Sequence, residues 1–275
     1  MTRWSTIARK DVRSLVGSRT GKIGIGLVVL IFLFSGYLVP TTTSNPTMTD
    51  YDNFTRGIVL FLVPLFGLLL GYRAVVGERA TGRLTLTLSF PHSRADIVIG
   101  KFVGRGLTLS AALSVGILGG AALIKYPFGS VTVGIILSYL LATLLFGLAF
   151  LAIGIALSTL TTSLRQATVL TFGVFFLFVV AWPQLTGFLL QGLEYLNLAN
   201  NTLPDWAVFV HGVEPSMLYQ RALDSYVSPN KLTSGAALGS VGPWYLQGGP
   251  AVLLLAGWVV TPTVIGYLQF RRTDI

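Results

Sequence analysis

Six apolar runs divide the chain: Ile23–Val39, Gly57–Val76, Phe102–Ile124, Val131–Leu157, Ala167–Leu190 and Ala251–Phe270. Each comes near the ~20 residues that an α-helix needs to cross the hydrocarbon core of a bilayer. The pattern predicts an all-α polytopic membrane protein with six transmembrane helices. The fourth run is longer than a span requires, so the span lies inside it. Trp182 and Pro183 interrupt the fifth, and a proline there predicts a kink or an early end. The first run has the length of a signal peptide. Its basic lead is long, however, and no small-x-small cleavage site follows Tyr37 and Leu38, which favours a span.

Ahead of the first run, Arg3, Arg9, Lys10, Arg13 and Arg19 alternate with Trp4, Ile7, Ala8, Val12 and Leu15. The apolar positions recur at three- and four-residue steps, so they share one face of a helix. Residues 1–22 are therefore expected to form an amphipathic cytoplasmic lead lying in the headgroup layer. The plainer alternative is a positive flank without fixed helix.

The segment 77–101 is the longest charged stretch between two apolar runs. It breaks at Pro91, and Ser93 with Asp96 then has the spacing of a capping box, with Asp in the place of Glu or Gln. A helix starting there should continue unbroken through Gly100, Gly104 and Gly106 into the third span. The other long polar segment, 191–249, carries Tyr195, Trp206, Phe209, Trp244 and Tyr245, the aromatics of an interface belt. Pro215 followed by Met217, Leu218 and Leu223 predicts a short amphipathic helix on or dipping into the membrane. A folded cap is expected rather than a disordered loop. The whole chain, 1–275, reads as one transmembrane domain.

Composition agrees: 53% of the 275 residues are hydrophobic and 11% charged, against about 25% charged in soluble domains. The formal charge of +9 is unevenly distributed. An even number of spans puts both termini on one side. With that side cytoplasmic, it collects 15 of the 19 basic residues and a net +11, leaving −2 outside. By the positive-inside rule both termini are cytoplasmic. The charge is thus a topology signal and not a sign of a nucleic-acid partner. The sequons at Asn53 and Asn200 fall outside.

Catalytic chemistry is sparse. There is no cysteine, and His92 and His211 fall on opposite faces, so they cannot share a metal. No catalytic or metal-binding set emerges. Glu194, Asp205, Glu214 and Asp224 match no calcium loop and read as a solvated acidic surface. Gly17, Gly21 and Lys22 resemble a phosphate loop but have three residues between the glycines, with Ile23 after the lysine. No Asp or Glu lies in the six apolar runs, while Arg73 and Arg105 sit near the cytoplasmic ends, where long side chains snorkel. An ion-coupled carrier needs intramembrane ionisable groups, so the energy for transport is expected from elsewhere. The pairs Gly67/Gly71, Gly100/Gly104 and Gly116/Gly120 have GxxxG spacing and would allow close helix packing.

Glu78, Gly82, Leu84, Pro91, Ser93–Arg94 and Gly100–Lys101, with a weaker echo in Gly154, Ser158, Ser163 and Ala167, resemble the membrane subunit of type-2 ABC transporters. Arg83 stands where that family usually has Thr. The resemblance extends over essentially the whole chain. It implies a permease in the cell membrane, an exporter since export is the commoner direction. It further implies pairing with itself or a sister permease and docking of cytoplasmic ATP-binding subunits that hold ATP and Mg. On that reading the chain binds no cofactor and is not itself an enzyme. Glu78, Gly82, Arg83, Leu84, Leu88, Pro91, Ser93 and Arg94 would couple it to the ATPase, with Gly82 to Pro91 as the coupling helix. Periodicity alone leaves strand and helix open there: Leu84, Leu86, Leu88 and Phe90 alternate with polar residues, yet Leu84 and Leu88 are also an i,i+4 pair. The alternative function is a scaffold of the same fold that transmits force to an extracytoplasmic partner.

Overall fold

The computed structural model describes residues 3–82, 93–128, 132–195, 205–228, 243–246 and 248–272. These residues are mostly helical, with no strand among them. In order they form α1 (Arg3–Gly17), α2 (Arg19–Thr42), α3 (Met48–Gly71), α4 (Val76–Ala80), α5 (Arg94–Phe128), α6 (Val133–Leu160) and α7 (Leu164–Phe175). A π-helical turn, Phe176–Ala181, joins α7 to α8 (Trp182–Tyr195); α9 (Asp205–Gly212), α10 (Pro215–Tyr226) and α11 (Gly248–Arg272) follow. Six segments are long and apolar enough to span: Arg19–Thr42, Met48–Ala80, Arg94–Tyr126, Val133–Leu160, Leu164–Leu189 and Gly248–Arg272.

The helices outrun the apolar runs that announce them. α3 begins at Met48, nine residues before Gly57, because Thr47 and Asp50 cap it reciprocally, each side chain taking the other's backbone N–H. Asp50 and Asp52 therefore lie on the second spanning helix, so the six spans are not free of acidic residues as the apolar runs implied. α5 is continuous from Arg94 to a break at Tyr126 (φ −112°, ψ 120°). Pro183 does not end the fifth span. It has no N–H for the ladder, and the helix widens into the π turn just before it and continues.

α6 is the centre and the most buried of the six spanning helices, whereas Leu164–Leu189 is the least. It runs parallel to α3 on one side and α11 on the other. Glycines set the α3–α6 spacing: a Cβ on Gly67 would stand 2.8 Å from the Gly147 carbonyl oxygen, and one on Gly71 2.7 Å from Gly154 Cα. α2 and α5 pair in the same way at Gly36 and Gly120. With no hydrophobic drive between helices in lipid, such close backbone approach supplies the packing contacts that hold spans together.

Within 191–249 the described residues include the helix expected from Pro215, preceded by a shorter one. α9 and α10 form a helical hairpin that enters the bundle. Trp258, ten residues into α11 and so ~15 Å from its start, donates from Nε1 to the Val213 carbonyl at the hairpin turn (2.7 Å). Trp182 Nε1 donates to the His211 carbonyl (3.3 Å). Tyr219 of α10 is fully buried and stacks on Phe146 of α6, centroids 4.5 Å apart.

Candidate functional site

Two polar constellations stand out, one at each end of the bundle. The first surrounds the charged segment after α3. α1 does not merely rest among headgroups: its apolar face crosses α5 where Gly100 and Gly104 leave room. A Cβ on Gly100 would meet Ile7 Cβ at 2.7 Å, and one on Gly104 the Ala8 carbonyl oxygen at 2.8 Å. Ile7 and Ala8 are buried, while Arg9, Lys10 and Arg13 stay exposed.

Asp11 lies on that buried face. Its carboxylate accepts from Lys101 Nζ (2.9 Å) and Arg105 Nε (2.9 Å), and Lys101 also reaches Glu78 Oε1 (2.5 Å) on α4. Arg105 donates in addition to the Leu70 carbonyl at the end of α3. Arg105 therefore does not snorkel: it is buried, and so are Asp11 and Lys101. Two acids and two bases balance, which is the condition for holding charge out of water. Burial by itself would raise the Asp11 carboxyl, but Arg105 and Lys101 outweigh it and hold the group below its ordinary 3.8.

Ser158, fully buried near the end of α6, accepts from the Val75 and Val76 amides (2.9 and 3.0 Å), satisfying the break between α3 and α4. Arg79 donates to the Thr161 carbonyl (3.0 Å). Gly82 adopts a positive φ of 69° just after α4, a conformation that suits glycine. On the return side, the Ser93 and Asp96 box is present: Ser93 N–H donates to Asp96 Oδ2 (2.9 Å), and the Asp96 N–H to Ser93 Oγ (3.1 Å). Arg94 donates to the Phe270 carbonyl (2.6 Å) at the C-terminal end of α11, where a cation is favoured.

Of the expected coupling residues, Glu78, Gly82, Ser93 and Arg94 thus frame one short segment. Arg83, Leu84, Leu88 and Pro91 lie outside the described residues, as does His92. In the echo motif, Ser163 caps α7 by accepting from the Gln166 amide (3.2 Å), and Ala167 is fully buried. The Asp11 cluster was not anticipated. Its signal is an acid four residues after Ile7 and four before Leu15 on an apolar face, opposite a Lys101–Arg105 i,i+4 pair.

The second constellation is at the other end. Arg56 of α3 bridges Asp52 (2.5 Å) and Asp224 of α10 (2.6 Å), and Ser228 donates to Asp52 (3.0 Å). Below it Thr55 bonds Tyr139 (2.7 Å) and Thr143 bonds Tyr219 (3.1 Å), so hydroxyls tie α3, α6 and α10 together. The expected solvated acidic surface is corrected here. Asp224 and Glu214 are buried, Asp224 because it completes the Arg56 pair and Glu214 because it caps α10 inside the bundle, accepting from the Met217 amide (2.9 Å). Burial pushes the Glu214 carboxyl up to about 7, against the opposing hydrogen bonds from Ser216 and Met217. Asp205 remains exposed. His211 is buried too, and burial together with Arg221 lowers its pKa.

Comparison with known proteins agrees with this architecture. The sequence matches the family described as ABC-2 family transporter protein over residues 5–275. It is 31% identical over 223 residues to the "Probable ABC transporter permease protein NosY" of Stutzerimonas stutzeri, covering 78% of this chain and 77% of that protein. The protein of the same name from Pseudomonas aeruginosa is 29% identical over 241 residues, 86% of this chain and 82% of the relative. The chain belongs to the ABC-2 transporter family, as a multi-pass membrane permease with six spanning helices.

Proposed function

We propose that this chain is the membrane-spanning subunit of an ATP-driven exporter, with both termini cytoplasmic. ATP would be hydrolysed in separate subunits that hold ATP and Mg and dock on the segment between Gly82 and Ser93. The observation that carries this reading is the buried charge set of Asp11, Glu78, Lys101 and Arg105, beside that segment. It joins α1, α4 and α5, while Ser158 and Arg94 fasten the same region to α6 and α11. A push delivered at the flanks of this segment, Gly82 and Ser93, would therefore reach five helices, α1, α4, α5, α6 and α11, and α5 runs unbroken from Arg94 to Tyr126. Closure of the ATPases would move the helices as bodies and open a path between two permeases, either two copies or this chain with a sister.

Co-purification tests the reading. Leu84→Asp or Leu88→Asp should abolish association with the ATP-binding partner while membrane insertion stays normal. Partner recovered at full yield with both variants would overturn the docking assignment. ATPase activity of the reconstituted pair against a substrate panel then identifies the cargo.

A further inference from the structure

A groove of ≈ 490 Å³ lies between α6, α10 and α11 near the starts of α6 and α11. Its volume falls in the range of small-molecule sites, ~300–1,000 Å³, and none of the described residues lining it is ionisable at neutral pH. Ala142 and Ala222 leave the space, being small and buried at its floor, while Leu141 and Leu253 at its lips are exposed.

The lining has a direction. Ser138, Tyr226 and Gly249 gather at the shallow end, within the first two turns of α6 and α11 and at the outer end of α10. Leu145 and Leu255 line the deep end, two further turns into their helices on α6 and nearly two on α11. Hydroxyls therefore sit toward the membrane surface and hydrocarbon toward its middle. An occupant must match that polarity; α6 and α11 are long and apolar enough to span a bilayer, which puts the groove at the depth of one leaflet, with its Leu141 and Leu253 lips exposed.

We infer that this groove is a binding site for one hydrocarbon chain of a membrane amphiphile, taken from the adjoining leaflet with its polar end beside Tyr226 and Ser138. Its third wall is α10, the helix clasped to α3 through Arg56 and Asp224, so the occupant packs directly on the hairpin. The inference needs the membrane position of the spans and an α6–α11 face left open by any second permease. It does not rest on the ATPase-docking reading.

The test uses the full chain in phosphatidylcholine–phosphatidylglycerol nanodiscs. A trace of phospholipid with a mid-chain diazirine is added in one arm and a diazirine fatty acid in the other, and labelled peptides are mapped by mass spectrometry. Label should concentrate several-fold on residues 138–145 and 249–255 over Val115 and Leu118, which are exposed apolar positions on α5. Ala142→Phe should remove that excess. Ser138→Trp, at the mouth, serves the same purpose should Ala142→Phe fail to fold. Enrichment with either probe supports the site and identifies its source as bilayer phospholipid or free fatty acid. Label spread evenly over α5, α6 and α11, or enrichment unchanged in both variants, would overturn it.

Discussion

Arg105 Nε and Asp11 Oδ2 meet 2.9 Å apart where the first helix crosses the third spanning helix. Neither residue is exposed, and each has another partner in the same cluster. The amphipathic lead is thereby part of the folded bundle rather than a float on the membrane surface.

Asp11→Asn should destabilise the purified protein by about 3–5 kcal/mol, because it leaves buried Lys101 and Arg105 short of an anion. Thermal unfolding in detergent checks this, and the double variant Asp11→Leu with Arg105→Leu should recover part of the loss. The pH dependence follows from the lowered Asp11 carboxyl. Its contribution is complete above the ordinary value of 3.8 and is lost as pH falls through the lower folded value. Asp11→Asn should remove that acid-side loss.

Ser158→Ala removes the one acceptor shared by the Val75 and Val76 amides. Leaving buried donors unpaired costs about 1–3 kcal/mol each. Hydrogen exchange should accelerate at 75–76 before it does in the middle of α6; unchanged protection there would refute the assignment.

Gly71→Val should force α3 and α6 apart, since even an added Cβ would stand 2.7 Å from Gly154 Cα. Overpacking of this kind costs about 1–3 kcal/mol or more. Gly173→Ala, where no atom outside the residue's own stretch of helix backbone lies within 4 Å of the added carbon, should be neutral or slightly stabilising. Equal effects of the two on the melting temperature would contradict the packing described.

At the hairpin, Glu214 keeps its proton in the folded protein up to about 7, whereas its ordinary value is 4.5. Between those values the unfolded chain has released a proton that the folded one retains. Stability from this group is therefore greatest below pH 4.5, falls as pH rises to about 7, and stays low above. Glu214→Gln retains an oxygen for the Met217 amide, so it should raise the melting temperature at pH 8 and flatten that slope.

Much of the architecture was legible in the sequence, since spanning helices announce themselves by apolar length and capping boxes by local spacing. All three GxxxG pairs proved to be helix contacts, at Gly67/Gly71, Gly100/Gly104 and Gly116/Gly120. The hairpin was half visible: Pro215 marks the start of α10, but eight- and twelve-residue helices are too short to stand out by apolar length. Asp224 looked solvated because its partner, Arg56, lies 168 positions away in sequence. Arg105 looked like a snorkelling residue for the same reason. A distant counter-ion leaves no trace in the residues around it.

The π turn at Phe176–Ala181 also acts as a phase shift. One surplus residue rotates everything after it by ~100° about the helix axis. The two halves of the fifth span thus show unlike sides to their surroundings, and the rotation aims the Trp182 indole at the His211 carbonyl. Excising a single residue from Phe176–Ala181 would restore the α register, swing that indole away, and release the hairpin's root while leaving hydropathy almost untouched.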